Sequence, residues 1–258
     1  MASSGNMIEL AVRCVDLTSL EADDTEERIL ALCERALRPD PDDAASPPVA
    51  AVCVYPPFVR AAAVRLAGTP VRVAAVAGGF PSGVATVEER VDEIRSCIAS
   101  GAHEIDTVLD RMALGAAGGE SGALEQLRAS REAAAGATLK VILETGALES
   151  PGLIRRAAEL AIDAGADFLK TSTGKVGLGA SPGAAREVMQ VAREAFGREG
   201  RVVGIKVAGG VRRVDDALGY LEIAREVLGL DWLTPQRFRI GASSLLDGLV
   251  AERRARGG

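Results

Sequence analysis

Residues 167–175 read Asp-Phe-Leu-Lys-Thr-Ser-Thr-Gly-Lys, and residues 202–210 read Val-Val-Gly-Ile-Lys-Val-Ala-Gly-Gly. In both, a short apolar run ends on a lysine, Lys170 or Lys206, and passes into a loop of small residues. Beyond the second, Leu218, Leu221, Ala224 and Val227 fall at helical spacing, so the unit is a strand followed by a helix. The pattern extends outward in both directions. Strands are expected at Val12–Asp16, Val49–Val54, Val71–Val76, Glu104–Leu109, Leu139–Leu143, Asp167–Lys170, Val202–Lys206 and Phe238–Ile240. Between them lie helical faces such as Ile29, Leu32, Cys33, Leu37 and Val87, Val91, Ile94, Ile98. A flavodoxin-like open sheet needs only about five strands, so this many evenly spaced units favour closure. The expected fold is a single α/β domain over residues 1–258, a (β/α)8 TIM barrel, with residues 1–8 a flexible N-terminus.

Composition agrees. At 258 residues the chain has the length of one such barrel, and nearly half its residues are apolar but few are aromatic, which suits a parallel sheet under small-residue helix faces. The net charge of −6 argues against a nucleic-acid surface, and the basic last turn, Arg253, Arg254 and Arg256, reads as a solvated helix end. No run approaches ~18 apolar residues, and Met1 to Leu10 lacks a basic start and an apolar stretch, so a soluble, cytoplasmic protein without membrane contact is expected. Cys14, Cys33, Cys53 and Cys97 are widely spaced and read as reduced thiols. His103 is the only histidine and is expected at the bottom of the barrel; no metal site is expected.

In barrels of this kind chemistry sits at the C-terminal ends of the strands. Lys170 shares a face with Phe168 and Lys206 with Gly204, so both can reach one mouth, with Gly204 leaving room for a long side chain. A lysine attacks a carbonyl only as the neutral amine, and a pKa near ~10.4 leaves only a few molecules in ten thousand competent at pH 7. Two ammonium groups ~5 Å apart at an effective dielectric of ~20 repel by ~3 kcal/mol, equivalent to roughly two pKa units. Burial adds to that. Spacing alone leaves open which lysine is the nucleophile.

Asp106 on the fourth strand is the carboxylate nearer the mouth, sharing a face with Glu104, and is the candidate proton-transfer group. Asp16 is a further inward carboxylate that can position Lys206. Three donor-rich loops follow strands six to eight: Gly174 and Lys175, then Gly209 and Gly210, then Ser243 and Ser244 at the start of an apolar helix. Together they imply a phosphorylated substrate, although Gly174-Lys175 lacks the spacing of a P-loop.

These segments resemble the deoxyribose-phosphate aldolase family from Val15-Asp-Leu-Thr18 to Gly241-Ala-Ser-Ser244. The strongest matches are Phe168-Leu-Lys-Thr-Ser-Thr-Gly-Lys175 and Gly204-Ile-Lys-Val-Ala-Gly-Gly-Val-Arg212, supported by Ala51–Pro56, Gly79–Pro81, Glu104–Asp106 and Leu139–Gly146. The resemblance implies a class I aldolase in which Lys170 forms the imine, Lys206 perturbs it and Asp106 relays protons. It implies phosphate on Gly174, Lys175, Gly209, Gly210, Ser243 and Ser244, sugar phosphate and aldehyde as partners, no cofactor, and a homodimer. The chain departs from the family pattern at Val207, where proline is usual after the second lysine, at Thr107 and Asp110, and in lacking a terminal tyrosine. Two other functions fit the same residues: a barrel holding pyridoxal phosphate on a lysine, which visible absorbance would reveal, and a sugar-phosphate binding barrel without turnover.

Overall fold

The computed structural model describes residues 4–115, 119–148, 150–177 and 179–256. Its centre is a closed parallel barrel in strand order β1-β2-β3-β4-β5-β6-β7-β8. The strands are β1 (Val15–Thr18), β2 (Ala51–Val54), β3 (Arg72–Val76), β4 (Glu104–Val108), β5 (Thr138–Ile142), β6 (Phe168–Lys170), β7 (Gly204–Ala208) and β8 (Phe238–Ala242). Around them run α1 (Ser4–Arg13), α2 (Glu26–Leu37), α3 (Val59–Arg65), α4 (Val87–Ala99), α5 (Arg111–Gly115), α6 (Gly119–Ala134), α7 (Pro151–Asp163), α8 (Pro182–Glu199), α9 (Val214–Val227) and α10 (Leu245–Ala255). This is the TIM barrel expected from the strand–helix repeat. No helix among the described residues is long and apolar enough to cross a membrane.

The principal error lies at the N-terminus. Val12, expected to open the first strand, is in α1, where Ile8, Ala11 and Val12 are all buried at helical spacing. The helix also replaces the expected flexible end over residues 4–8; residues 1–3 lie outside the described residues. A β-branched residue in a short apolar run has no decisive preference, and here packing onto α10 and α9 selects the helix.

Strand alternation divides the core in two. Outward residues such as Ile105, Val141, Leu169, Ile205 and Ile240 pack beneath the helices in one continuous apolar layer. Inward residues of β2 and β3 form a small apolar cluster, Cys53, Ala74 and Val76 with Leu20. The other strands carry the charged inward residues: Asp16, Glu104, Asp106, Lys140, Lys170, Lys206 and Arg239 are all buried.

The three substituted positions each have a structural place. Val207 is not in a loop but in the middle of β7, paired with Ile240. Thr107 faces outward and accepts a hydrogen bond of 2.7 Å from Arg90, a fully buried arginine on α4 that also donates to the carbonyls of Val108 and Gly83. Asp110 accepts from the amides of Met112 and Ala113, opening α5. The basic last turn is more than a solvated end: Arg253 pairs with Asp43 and Arg254 with Asp40 and Asp42, pinning α10 to the Asp-rich loop after α2. His103 accepts at Nδ1 from the Val73 amide at the foot of the barrel, and burial lowers its pKa. The four cysteines are buried and unpaired.

Candidate active site

Register brings the charged side chains together. Asp106 lies beside Lys140, Lys170 beside Lys206, and Lys206 beside Arg239 in adjacent strands. Thr171 locks the ends of β6 and β7, its hydroxyl donating to the Ala208 carbonyl at 3.0 Å and accepting from the Ala208 amide at 2.9 Å. The room for Lys206 comes from a glycine other than the one expected. A Cβ on Gly204 would stand 2.4 Å from the Phe168 ring, which fills the lower barrel there. The glycine beside the lysine stem is Gly241, where a Cβ would come within 3.0 Å of Lys206 Cε and 2.9 Å of Ala208 Cβ. Gly241→Ala is therefore expected to displace the Lys206 ammonium and lower kcat by roughly tenfold or more while the chain still folds, measured by steady-state kinetics beside a thermal melt.

Asp106 is the hub. Its Oδ1 accepts from Lys140 at 2.8 Å, and its Oδ2 accepts from both Lys170 and Lys206 at 2.8 Å. Lys206 Nζ is also 2.6 Å from Asp16, Lys140 Nζ is 2.5 Å from Glu104, and Arg239 bridges Asp16 at 2.6 Å and Glu104 at 2.8 Å. Four basic groups thus face three carboxylates. The cluster is neutral overall when one amine is uncharged, and a dry interior favours that balance.

The pairing differs from one amine to the next. Burial opposes the ammonium of Lys206, but Asp106 and Asp16 more than offset it and hold the pKa above the usual lysine value. Lys140 is likewise raised against burial by Asp106, Glu104 and Asp16. For Lys170 burial prevails, Asp106 alone among the carboxylates opposes it, and Lys206 adds repulsion, so the pKa falls. Desolvation, more than repulsion between ammonium groups, lowers it.

Burial also works against ionisation of Asp16, Glu104 and Asp106, but the surrounding lysines and Arg239 win, and all three carboxyl pKa values fall below their usual range. The sign for stability follows. Because the unfolded chain binds these protons more readily, their stabilisation is complete above the unfolded values of 3.8 and 4.5 and is lost as pH falls through the depressed folded values. Denaturant midpoints are expected to be insensitive to these groups from pH 8 to about 5 and to drop below about 4.

Above the hub opens a cavity of about 140 Å³ lined by Lys170, Lys206, Gly174, Lys175, Gly209, Gly210 and Ser243, with Thr18, Leu20 and Arg212 among the others. All the phosphate-loop residues expected from the sequence line it except Ser244, which stands one step back as the N-cap of α10. Asp106 lies below the cavity, fully buried, and meets it through the lysines. Gly209 has φ +89°, and a Cβ there would stand 2.8 Å from Ser172 Oγ, so glycine is required by both conformation and space. The Lys175 ammonium donates to the Leu20 carbonyl and lies 3.9 Å from Glu21, both in the loop that follows β1. Cys53 is fully buried behind the lysines, its Sγ 4.0 Å from Asp106, and burial raises its pKa. Such a thiol is a poor nucleophile.

Lys140, Glu104 and Arg239 are the members that sequence reading did not bring into the site. A lysine inside the apolar run Thr-Leu-Lys-Val-Ile and an arginine inside Phe-Arg-Ile carry the same signal as Lys170. Each is a long charged side chain on an inward strand position.

A family model described as DeoC/LacD family aldolase matches residues 10–248. A candidate deoxyribose-phosphate aldolase from Toxoplasma gondii superposes with a TM-score of 0.86 at 27% identity, covering 97% of this chain and 95% of the other. One from Coccidioides immitis gives 0.77 at 29% identity, covering 96% and 87%. The Aeropyrum pernix deoxyribose phosphate aldolase, at 24% identity and a TM-score of 0.75 over 97% and 94% of the two chains, shares the fold. The chain belongs to the DeoC/LacD aldolase family.

Proposed function

We propose that this aldolase works through an imine on Lys170 and reversibly cleaves 2-deoxy-D-ribose 5-phosphate to D-glyceraldehyde 3-phosphate and acetaldehyde. The observation that carries this reading is the unequal pairing of two neighbouring lysines. Both line the cavity, but Lys206 is held as an ammonium by Asp106 and Asp16, whereas Lys170 shares one carboxylate oxygen and has a lowered pKa. An amine that gives up its proton more readily than its neighbour, facing an opening with a fixed positive charge beside it, suits carbonyl attack.

The Lys170 amine adds to the aldehyde carbon of the open-chain sugar, and loss of water gives a protonated imine. The C3 hydroxyl then gives up its proton and the C2–C3 bond breaks. Its electron pair moves toward the iminium nitrogen, leaving a neutral enamine on Lys170 and releasing glyceraldehyde 3-phosphate. Protonation of the enamine carbon and hydrolysis return the amine and free acetaldehyde. Asp106 and Lys206, in contact below the cavity, form the pair that can carry protons to and from this centre, directly or through water. Gly209, Gly210, Ser243 and Lys175, which line the same cavity, supply donors and charge for the phosphate.

Borohydride reduction in the presence of acetaldehyde or deoxyribose phosphate, followed by peptide mass mapping, tests the reading. The expected result is a reduced adduct on Lys170. An adduct on Lys206 overturns the assignment, and no adduct together with no cleavage of the sugar phosphate leaves a sugar-phosphate binding barrel in its place.

A further inference from the structure

Glu144 lies two residues past the end of β5 and takes no part in the chemistry above, yet its surroundings are unusual. It is fully buried and has φ 54° and ψ 54°, the left-handed region that side chains other than glycine, asparagine and aspartate enter at a cost. Backbone bonds on either side enforce the kink: the Leu143 amide donates to the Lys170 carbonyl at 2.9 Å and the Thr145 amide to the Thr171 carbonyl at 2.8 Å.

The conformation directs the carboxylate into the loop that follows β6. Ser172 Oγ donates to Glu144 Oε1 at 2.6 Å, and the Thr173 hydroxyl donates to Oε2. Each hydroxyl oxygen then accepts a backbone amide two residues on, Gly174 to Ser172 and Lys175 to Thr173, both at 3.1 Å. One carboxylate thereby sets four consecutive loop residues. Ser172 in turn packs against Gly209 of the next loop, where no Cβ would fit. Hydrogen bonds to a charged acceptor are shorter and stronger than neutral ones, and the hydroxyls they polarise hold the amides more firmly. The hydroxyls of Ser172 and Thr173 are therefore both committed to Glu144.

We propose that Glu144 is a positioning residue, a buried carboxylate that fixes residues 172–175 in the shape that receives the phosphorylated end of the substrate. The consequence for substrate rests on the proposed function; the holding of the loop does not.

The experiment compares Glu144→Gly, which suits the left-handed backbone but removes the carboxylate, with Glu144→Gln, which keeps the shape and one acceptor. Loss of this charge-assisted network in Glu144→Gly is expected to raise KM for deoxyribose 5-phosphate by about tenfold, with kcat changed by less than ~3-fold and KM for unphosphorylated deoxyribose within ~2-fold. Glu144→Gln is expected to fall between parent and Glu144→Gly. Amide hydrogen exchange at Gly174 and Lys175, referred to the amides of β2, is expected to quicken by about tenfold in Glu144→Gly. Unchanged exchange at those two amides, or a KM rise shared equally by both sugars, overturns the proposal. A parent protein that cleaves neither sugar counts against the proposed function, and the exchange comparison still decides the role of Glu144.

Discussion

Replacing Lys170 with methionine is expected to lower kcat/KM for the sugar phosphate by at least ~10⁴-fold and to abolish borohydride trapping, because a missing nucleophile removes the covalent route altogether. Stability should move the other way or not at all. Lys170 is the one amine of the cluster whose pKa is lowered, so a neutral residue of similar volume leaves three basic groups facing three carboxylates. Asp106 keeps its hydrogen bonds from Lys140 and Lys206. Activity assays, adduct mass and equilibrium unfolding of the same preparation check the prediction. Retention of more than about a hundredth of the parent rate would mean that Lys206 carries the imine, in conflict with the two carboxylates that hold it as an ammonium.

Asp106→Asn should damage both stability and catalysis, and the two losses can be separated. Removing the central carboxylate leaves Lys140, Lys170 and Lys206 around a neutral amide, and breaking a buried pair in this way costs about 3–5 kcal/mol. Loss of a proton-relay group adds a decrease in kcat of about 10²–10⁴-fold. The acid side of the pH–rate profile should also move to lower pH. Asp106 is the main influence raising the Lys170 pKa against burial; without it the amine is neutral further into acid. A purely structural Asp106 would give the lower denaturation midpoint while leaving kcat per folded molecule and the position of that limb unchanged.

Much of the site was legible because its chemistry is local to strand ends. A lysine closing an apolar run, repeated on the next strand, marks Lys170 and Lys206 without any tertiary information, and alternation places Asp106 on the same inward face as Glu104. The glycine and serine loops were legible for a related reason, since donor-rich loops after strands six to eight converge in any closed barrel. Lys140 and Arg239 were harder to read. They lie inside short strands, where a single charged residue reads equally well as an edge or a strand terminus, and their partners are 34 and 223 residues away in sequence. Glu144 was invisible for another reason: its importance lies in a backbone angle and in two hydroxyls that come from a different strand end.

By itself, then, the sequence determined the barrel, through the repeat of apolar runs and helical faces, and it determined which residues reach the mouth, through strand parity. Its largest misplacement, the start of the first strand, lay where Val12 had no local preference strong enough to resist the packing of α1. Only the tertiary structure shows that two similar lysines are paired unequally. Spacing treats Lys170 and Lys206 alike, but closure of the barrel brings β1 beside β8, and with it Asp16 to within 2.6 Å of Lys206. A second carboxylate on one lysine and not on the other separates two pKa values that the sequence left equal.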